Sequence, residues 1–340
     1  MDVVGRDADL IKPGREADMG QHSGGIGRHL HSRSDLTEPR CSLNQLDFVA
    51  VALQAEGRRQ STNIYSGHDH SHLGILAGPF YGDRMIEVTN DGRVRTITLQ
   101  RSEAKNAMSV AMWDATTEAF LGAQDDPTVA VVVLTGSGDS FSAGQDVIEM
   151  GRMAMGEKIE AKHGFAGLTK VLIDFPKPLV LAVNGMGLGF GATILGVSDL
   201  VFMSSGARLK CPFTTLGVAP ELASSVTFPS LIGRQNATWA LMSAEWLTAD
   251  ECKEMGLAFK VCAPGDLMNV TMDHARTLAS RPISSLKACK RTIVGPIQPL
   301  LHEAHERENG EFAVLMGAPA NIEAMTAFAE KRTPNFEGID

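Results

Sequence analysis

The 340-residue sequence predicts an α/β fold, a parallel sheet built from strand–helix crossovers followed by a helical C-terminal region. Three observations carry that expectation. Residues 129–135 and 179–183 are continuous apolar runs rich in β-branched side chains, the pattern of strands buried on both faces. Segments with helical spacing alternate with these runs, and such alternation calls for parallel strands joined by right-handed crossovers. Beyond about residue 222 the pattern is mainly helical.

Residues 1–84 stand apart from this plan. They are rich in Gly, Ser, His, Arg and Asp and show no sustained apolar period, so they are expected to form a disordered N-terminal extension, with Met85 as the start of the native chain. The run His68-Asp69-His70-Ser71-His72 has metal-ligating side chains. No second ligand cluster accompanies it, so it reads as a solvated polar tract, and no metal is expected. Residues 47–55 offer a short strand or helix with no evident pairing partner.

Regular structure is expected from Met85 onward. Residues 85–89 and 93–99 alternate in character around Asn90-Asp91-Gly92, a hairpin signal. Residues 109–124 place Met112, Trp113, Ala119 and Phe120 at helical spacing. After strand 129–135 come a helix over 157–174, strand 179–183, a helix over 193–197 and strand 200–203. Thr248-Ala249-Asp250-Glu251 has the form of a capping box, and Gly256 would close that helix in the left-handed conformation. Residues 265–281, 283–294, 298–316 and 320–330 read as four more helices. The division expected is a core over 85–280 and a helical region over 281–340.

Charge and composition exclude some functions. A net charge of -9 argues against a nucleic-acid partner, which needs a basic face, although local basic residues can still hold an anion. Five cysteines without a C-x-x-C pair suit free thiols in a reducing compartment. Residues 179–198 have the length of a membrane span, but Asn184 and the alternating glycines favour a loop, so no membrane partner is expected. There is no signal-peptide layout, and the chain closes on Gly338-Ile339-Asp340 rather than a peroxisomal signal. A cytoplasmic location follows as the expectation.

Two glycine-rich loops carry the chemistry. The first runs from Gly136 to Asp146 and the second from Asn184 to Ala192; each follows a buried strand, and the second opens a helix. Gly187, Gly189 and Ala192 fit G-x-G-x-x-A, yet the acid expected to end the next strand is missing, since Asp199 precedes that strand. The loops could be turns that merely pack tightly. They could instead bring two amides onto one oxygen, the arrangement that stabilises an enolate or a tetrahedral oxyanion.

At this point the residues resemble a family. Phe141-Ser142-Ala143-Gly144-Gln145-Asp146 resembles the FSAGxD loop of the crotonase (enoyl-CoA hydratase/isomerase) superfamily, and Val183-Asn184-Gly185 through Gly191 resembles its VNGxxxGxG loop. Lys105-Asn106-Ala107-Met108, Leu247-Thr248-Ala249 through Leu257, and Ala327 through Arg332 are similar to three further family segments, in the family's order, over residues 85–340. The resemblance implies a crotonase-type core of repeated ββα units with a C-terminal helical oligomerisation region, assembled as a homotrimer or dimer of trimers. It implies an acyl-CoA substrate and no cofactor besides that thioester. The backbone amides of Gln145 and Phe190 would form the oxyanion hole. Ala104, Lys105, Asn106, Ala143 and Asp146 would lie at the adenine end of CoA, and Phe328 and Lys331 match residues that reach CoA, sometimes from a neighbouring subunit.

Hydratases of the superfamily use two glutamates, whose places here hold Thr193 and Phe213, neither an acid. Val218 through Ser225, with Pro220-Glu221 at its centre, instead resembles the segment that carries the single glutamate of Δ3,Δ2-enoyl-CoA isomerases in fatty acid degradation. The resemblance thus implies an isomerase with Glu221 as its base. Another reaction of the superfamily, such as hydration or thioester hydrolysis, and a non-catalytic acyl-CoA-binding domain are the alternatives. Apolar neighbours would raise the pKa of Glu221 and a nearby helix start would lower it; a bland role as a first-turn acid is also open.

Overall fold

The turn after Ile86–Asp91 sets the edge of the main sheet. Asp91 pairs with Val94, which leaves Gly92 and Arg93 at the tip, and Gly92 takes the positive φ of 56° that a two-residue hairpin of this kind requires. The protein is described here by a computed structural model covering residues 85–339 except Met155. The expectations for residues 1–84 lie outside the described residues.

Among the described residues the main sheet has six strands, in the order β1 (Ile86–Asp91), β2 (Val94–Leu99), β3 (Val131–Gly136), β5 (Leu179–Val183), β7 (Leu200–Ser204) and β10 (Lys260–Cys262). Only the β1–β2 pair is antiparallel. A second sheet joins four short strands, β4 (Ser140–Ser142), β6 (Met186–Leu188), β8 (Arg208–Lys210) and β9 (Leu247–Thr248). Each of β3, β5 and β7 thus passes through a short loop into a strand of the second sheet.

The helices are α1 (Val110–Asp125), α2 (Val147–Ala154), α3 (Gly164–Asp174), α4 (Phe190–Thr193), α5 (Ser224–Met242), α6 (Ala249–Met255), α7 (Leu267–Ala279), α8 (Ile283–Val294), α9 (Gln298–Leu315) and α10 (Pro319–Glu330). The apolar runs of β3 and β5 are explained by what covers them. Val132, Leu134, Leu181 and Val183 face a core shared with Met112 and Phe120 of α1. Val131, Val133, Val180 and Ala182 face the opposite core, under Leu267 and Ala275 of α7. A strand covered on both sides has no polar face to alternate.

Local chemistry sets the helix ends. Ser109 caps α1 by accepting from the Met112 amide at 3.3 Å. Thr248 and Glu251 form the expected capping box, and Gly256 closes α6 at φ 95°.

Three expectations need correction. The helix expected over 157–174 begins only at Gly164, because the Asp114 carboxylate accepts from the amides of Lys162, His163 and Gly164, each at 2.8 Å, and so fixes the preceding segment as its cap. The helix expected over 193–197 begins earlier, at Phe190, and tightens to a 3-10 turn over Ile194–Val197. Helix α2 and the positions of the second sheet's strands are not legible in the pattern, since strands of two or three residues are too short to show a period, although the implied ββα units call for such strands.

No single helix among the described residues is long and apolar enough to cross a membrane.

Candidate active site

The first glycine-rich loop is held by the chain just before α1. The Met108 amide donates to Gly144 O at 2.7 Å, and the Asp146 amide donates to Met108 O at 3.0 Å. Met108 and Gln145 therefore form an isolated parallel bridge. In a parallel bridge the middle residue turns its own N–H away from the partner strand. Gln145 is that residue, and its amide points the other way.

The second loop meets the first closely at Gly144. Gly144 has φ 75°, and a Cβ there would stand 2.5 Å from Leu188 O and 3.5 Å from Phe190 N. Only glycine permits that approach. Gly191 is equally constrained, since a Cβ would lie 2.4 Å from Ser142 O. Phe190 opens α4, where no earlier carbonyl is placed to accept from its N–H. Among the described residues, neither the Gln145 nor the Phe190 amide donates to another group. Two free amides thus flank the contact between Gly144 and Leu188.

The side chains of these residues build an apolar wall. Phe190 meets the edge of Trp113 at 4.8 Å between centroids, and Trp113 meets Phe165 at 5.3 Å. The Trp113 indole N–H donates to Gln145 Oε1 at 3.2 Å, which fixes the Gln145 side chain and with it the amide.

Glu221 completes the constellation. Its Oε1 would be 3.7 Å from a Cβ placed on Gly189, the residue preceding the free Phe190 amide. Burial pushes its pKa up to about 7, and the nearby Glu308 carboxylate adds to the rise. A carboxyl of that pKa can both accept and return a proton near neutral pH. The backbone that follows is strained. Leu222 and Ala223 have φ of 56° and 54°, a left-handed conformation that costs on the order of 1 kcal/mol for each non-glycine residue. The Glu308 carboxylate on α9 accepts from the amides of Ala223 at 2.7 Å and Ser225 at 2.8 Å.

Thr193 is buried and donates to Gly189 O at 3.3 Å, and Phe213 is buried in the core; neither offers a proton-accepting group to a substrate.

The segments expected near CoA divide into two groups. Ala104, Lys105 and Asn106 lie against Ala143: the Ala143 amide donates to Lys105 O at 2.9 Å, and Ser142 Oγ donates to Asn106 O at 2.9 Å. Asn106 is fully buried, and its side-chain amide donates to Ser137 O and Ser140 O, so it serves the loop. Asp146 is also committed. It accepts from the amides of Ile148 and Glu149 and pairs with Arg101. Burial alone would raise its pKa, but the Glu149 amide and the Arg101 guanidinium hold it below the usual carboxylate range. Lys105 pairs with Asp139 at 2.7 Å on the surface. Phe328 is 60% exposed, and Lys331 ends α10 at φ 57°; no hydrogen bond or ion pair joins either to the two loops.

Among the described residues, no three His, Cys, Asp or Glu side chains converge as a metal site. Asp199, near the place a dinucleotide-binding acid would occupy, instead pairs with Lys290 at 2.7 Å and accepts from the Leu179 amide.

Trp113 and Glu308 escaped sequence reasoning as site residues. For Glu308 a signal existed. It shares a helical face with the buried Leu301 and Ala304, so a carboxylate falls on an apolar phase.

Comparison with known proteins places the chain in a family. Residues 89–339 match the family model described as enoyl-CoA hydratase/isomerase. The chain is 34% identical over 269 residues to enoyl-CoA delta isomerase 2 of Rattus norvegicus, covering 78% of this chain and 66% of that protein. The chain thus spans just under two thirds of that relative's length. It is 30% identical over 256 residues to 2,3-dehydroadipyl-CoA hydratase of Escherichia coli, covering 74% of this chain and 98% of that one. The crystal structure of an enoyl-CoA hydratase from Mycobacterium marinum superposes with a TM-score of 0.60 at 56% identity, covering 62% of this chain and all of that one.

Proposed function

Because the chain belongs to the enoyl-CoA hydratase/isomerase family, we propose that it moves the double bond of a 3-enoyl-CoA to the 2-position, with Glu221 as the single proton shuttle. The Glu221 carboxyl stands beside Gly189, next to the free Phe190 amide, while Thr193 and Phe213 hold the places of the two hydratase glutamates, and this arrangement is what carries the proposal.

The ionised Glu221 removes a proton from C2 of the thioester. The electron pair moves into the C1–C2 bond, and the carbonyl oxygen becomes the negative end of a dienolate. The amides of Gln145 and Phe190 donate to that oxygen. The protonated Glu221 then delivers its proton to C4, the oxygen re-forms its carbonyl, and the double bond is left between C2 and C3. No atom is gained or lost. The Trp113–Phe190 wall excludes water from the dienolate.

The segments of Ala104, Lys105 and Asn106 and of Ala143 and Asp146 are proposed to receive the adenine end of CoA, with the buried Asn106 and Asp146 side chains holding the backbone that meets it. The Lys105–Asp139 pair is exposed, and such pairs contribute at most about 1 kcal/mol, so a phosphate displaces the aspartate readily. Phe328 and Lys331 are proposed to act from a neighbouring subunit of a homotrimer or dimer of trimers. Exposed Ile293, Leu300, Val314 and Ile322 support assembly through the C-terminal helices. Light scattering on eluted protein checks it; a monomer removes that role from both residues.

The two hydratase relatives favour a second reading, addition of water across a 2-enoyl-CoA. One assay separates the two. With a 3-enoyl-CoA the isomerase produces the ultraviolet absorbance of a conjugated thioester, and with a 2-enoyl-CoA the hydratase removes it. Loss of absorbance from the 2-enoyl substrate, without gain from the 3-enoyl one, would replace isomerisation by hydration.

A further inference from the structure

The segment that carries Glu221 is closed by a local turn bond, the Ser224 amide donating to Glu221 O at 3.1 Å, and that bond alone spans a strained backbone. Leu222 and Ala223 are both left-handed, a conformation that L side chains rarely adopt and that persists only where surrounding structure imposes it. A second hold on it comes from far along the chain. Glu308, on α9, is 4% exposed, and its carboxylate spans the amides of Ala223 and Ser225, one inside the left-handed pair and one in the first turn of α5. Leu301 and Ala304 of the same helix pack against Ala223 and Ile173. Among the described residues Glu308 has no ion-pair partner, so a buried carboxylate is kept without a cation to balance it. For capping alone, a serine or aspartate at the helix's own N-cap position would suffice, yet Ala223 stands there and makes no side-chain cap.

We infer that Glu308 is a positioning residue for Glu221: by gripping Ala223 and Ser225 it fixes the left-handed turn that sets the Glu221 carboxyl beside Gly189 and the free Phe190 amide. The inference rests on Glu221 being the base of the proposed reaction. Glu308 does not touch the reacting atoms. Without its grip the turn relaxes toward ordinary backbone angles and the Glu221 carboxyl swings off line.

The test compares the wild type with Glu308→Gln, Glu308→Asp, Glu308→Gln combined with Ala223→Gly, and Glu306→Gln as an exposed control on the same helix. In Glu308→Gln, kcat for 3-enoyl-CoA isomerisation is expected to fall on the order of 10²-fold, as for a misplaced catalytic group, while KM moves less than about threefold. Glycine adopts the left-handed region freely, so adding Ala223→Gly is expected to restore kcat at least about tenfold. Glu308→Asp keeps the charge on a shorter arm and is expected to lose kcat by roughly tenfold, which decides the matter should the Gln variant not fold. Wild-type kcat in folded Glu308→Gln or Glu308→Asp, or a double variant with no recovery, overturns the inference. A wild type that does not isomerise 3-enoyl-CoA overturns the functional reading instead. The carboxyl carbon resonance of labelled Glu221 then decides for Glu308: it must shift in Glu308→Gln and return in the double variant, and an unmoved resonance overturns the inference.

Discussion

The two halves of the site are built in opposite ways. The amide half is backbone held by backbone. The Met108–Gln145 bridge, the fit of Gly144 against Leu188 O, and the Gly191–Ser142 approach all constrain the same two loops, and Asn106 and Asp146 tie them further. The acid half is one side chain on a strained turn, held by one turn bond and a carboxylate from α9. Donors set by sheet register need many simultaneous constraints and tolerate the loss of a side chain. An acid on a turn needs few constraints and can be mistuned by one substitution that leaves the fold intact.

The sharpest way to break this contrast is to remove the acid alone. Glu221→Gln is expected to lower kcat by about 10²–10⁴-fold with thioester binding retained; an unchanged rate would empty the acid half of its role. On the amide half, Gly144→Ala forces a Cβ to within 2.5 Å of Leu188 O at φ 75°. It is expected to part the loops and cost about 10²–10³-fold in kcat, the loss typical of one oxyanion donor, with weaker expression. Normal turnover in that variant would show that the loops are not locked. The acid half should also report through pH. Glu221 must be ionised to act, and its pKa is raised to about 7, so kcat/KM should rise as pH increases to about 7 and then level off. A midpoint near the ordinary value of 4.5 would mean that the carboxyl is not shielded in solution.

Two smaller effects refine the picture. Trp113→Phe keeps the ring contact with Phe190 but removes the hydrogen bond to Gln145; at about 1 kcal/mol it should cost roughly fivefold in kcat. Stability gives the smallest signal. The folded-state pKa of Glu221 lies above the unfolded value, so its contribution is fully present below pH 4.5 and is lost as pH rises through about 7. Above that pH the ionised carboxylate burdens the fold. Glu221→Gln is therefore expected to melt several degrees above the wild type at pH 8, for a difference of roughly 3 kcal/mol, and to match it at pH 4. Equal melting temperatures at both pH values would place the carboxyl in open water.

The same contrast explains what could be read without coordinates. The glycine-rich loops are visible because close backbone approach leaves a compositional trace: Gly144 and Gly191 cannot be replaced where they stand. The strands under them are visible because burial on both faces writes an unbroken apolar run, as in Val131-Val132-Val133-Leu134. Glu221 is visible through its local motif. Its brace is not, because the Ala223–Glu308 bond joins residues 85 apart, and nothing local relates one charged residue of α9 to a turn that far upstream. The late start of α3 is hidden for the same reason, being set by Asp114 across 50 residues.

The order of the chain turns the α9 brace into a matter of timing. A polypeptide emerging from the ribosome has both donor loops in hand once β6 and α4 are out, and Glu221 follows soon after. The side chain that steadies that glutamate is still unmade. On the proposed reaction, newly synthesised protein therefore holds its two amide-bearing loops before its base is aimed, and activity is expected only once α9 has docked.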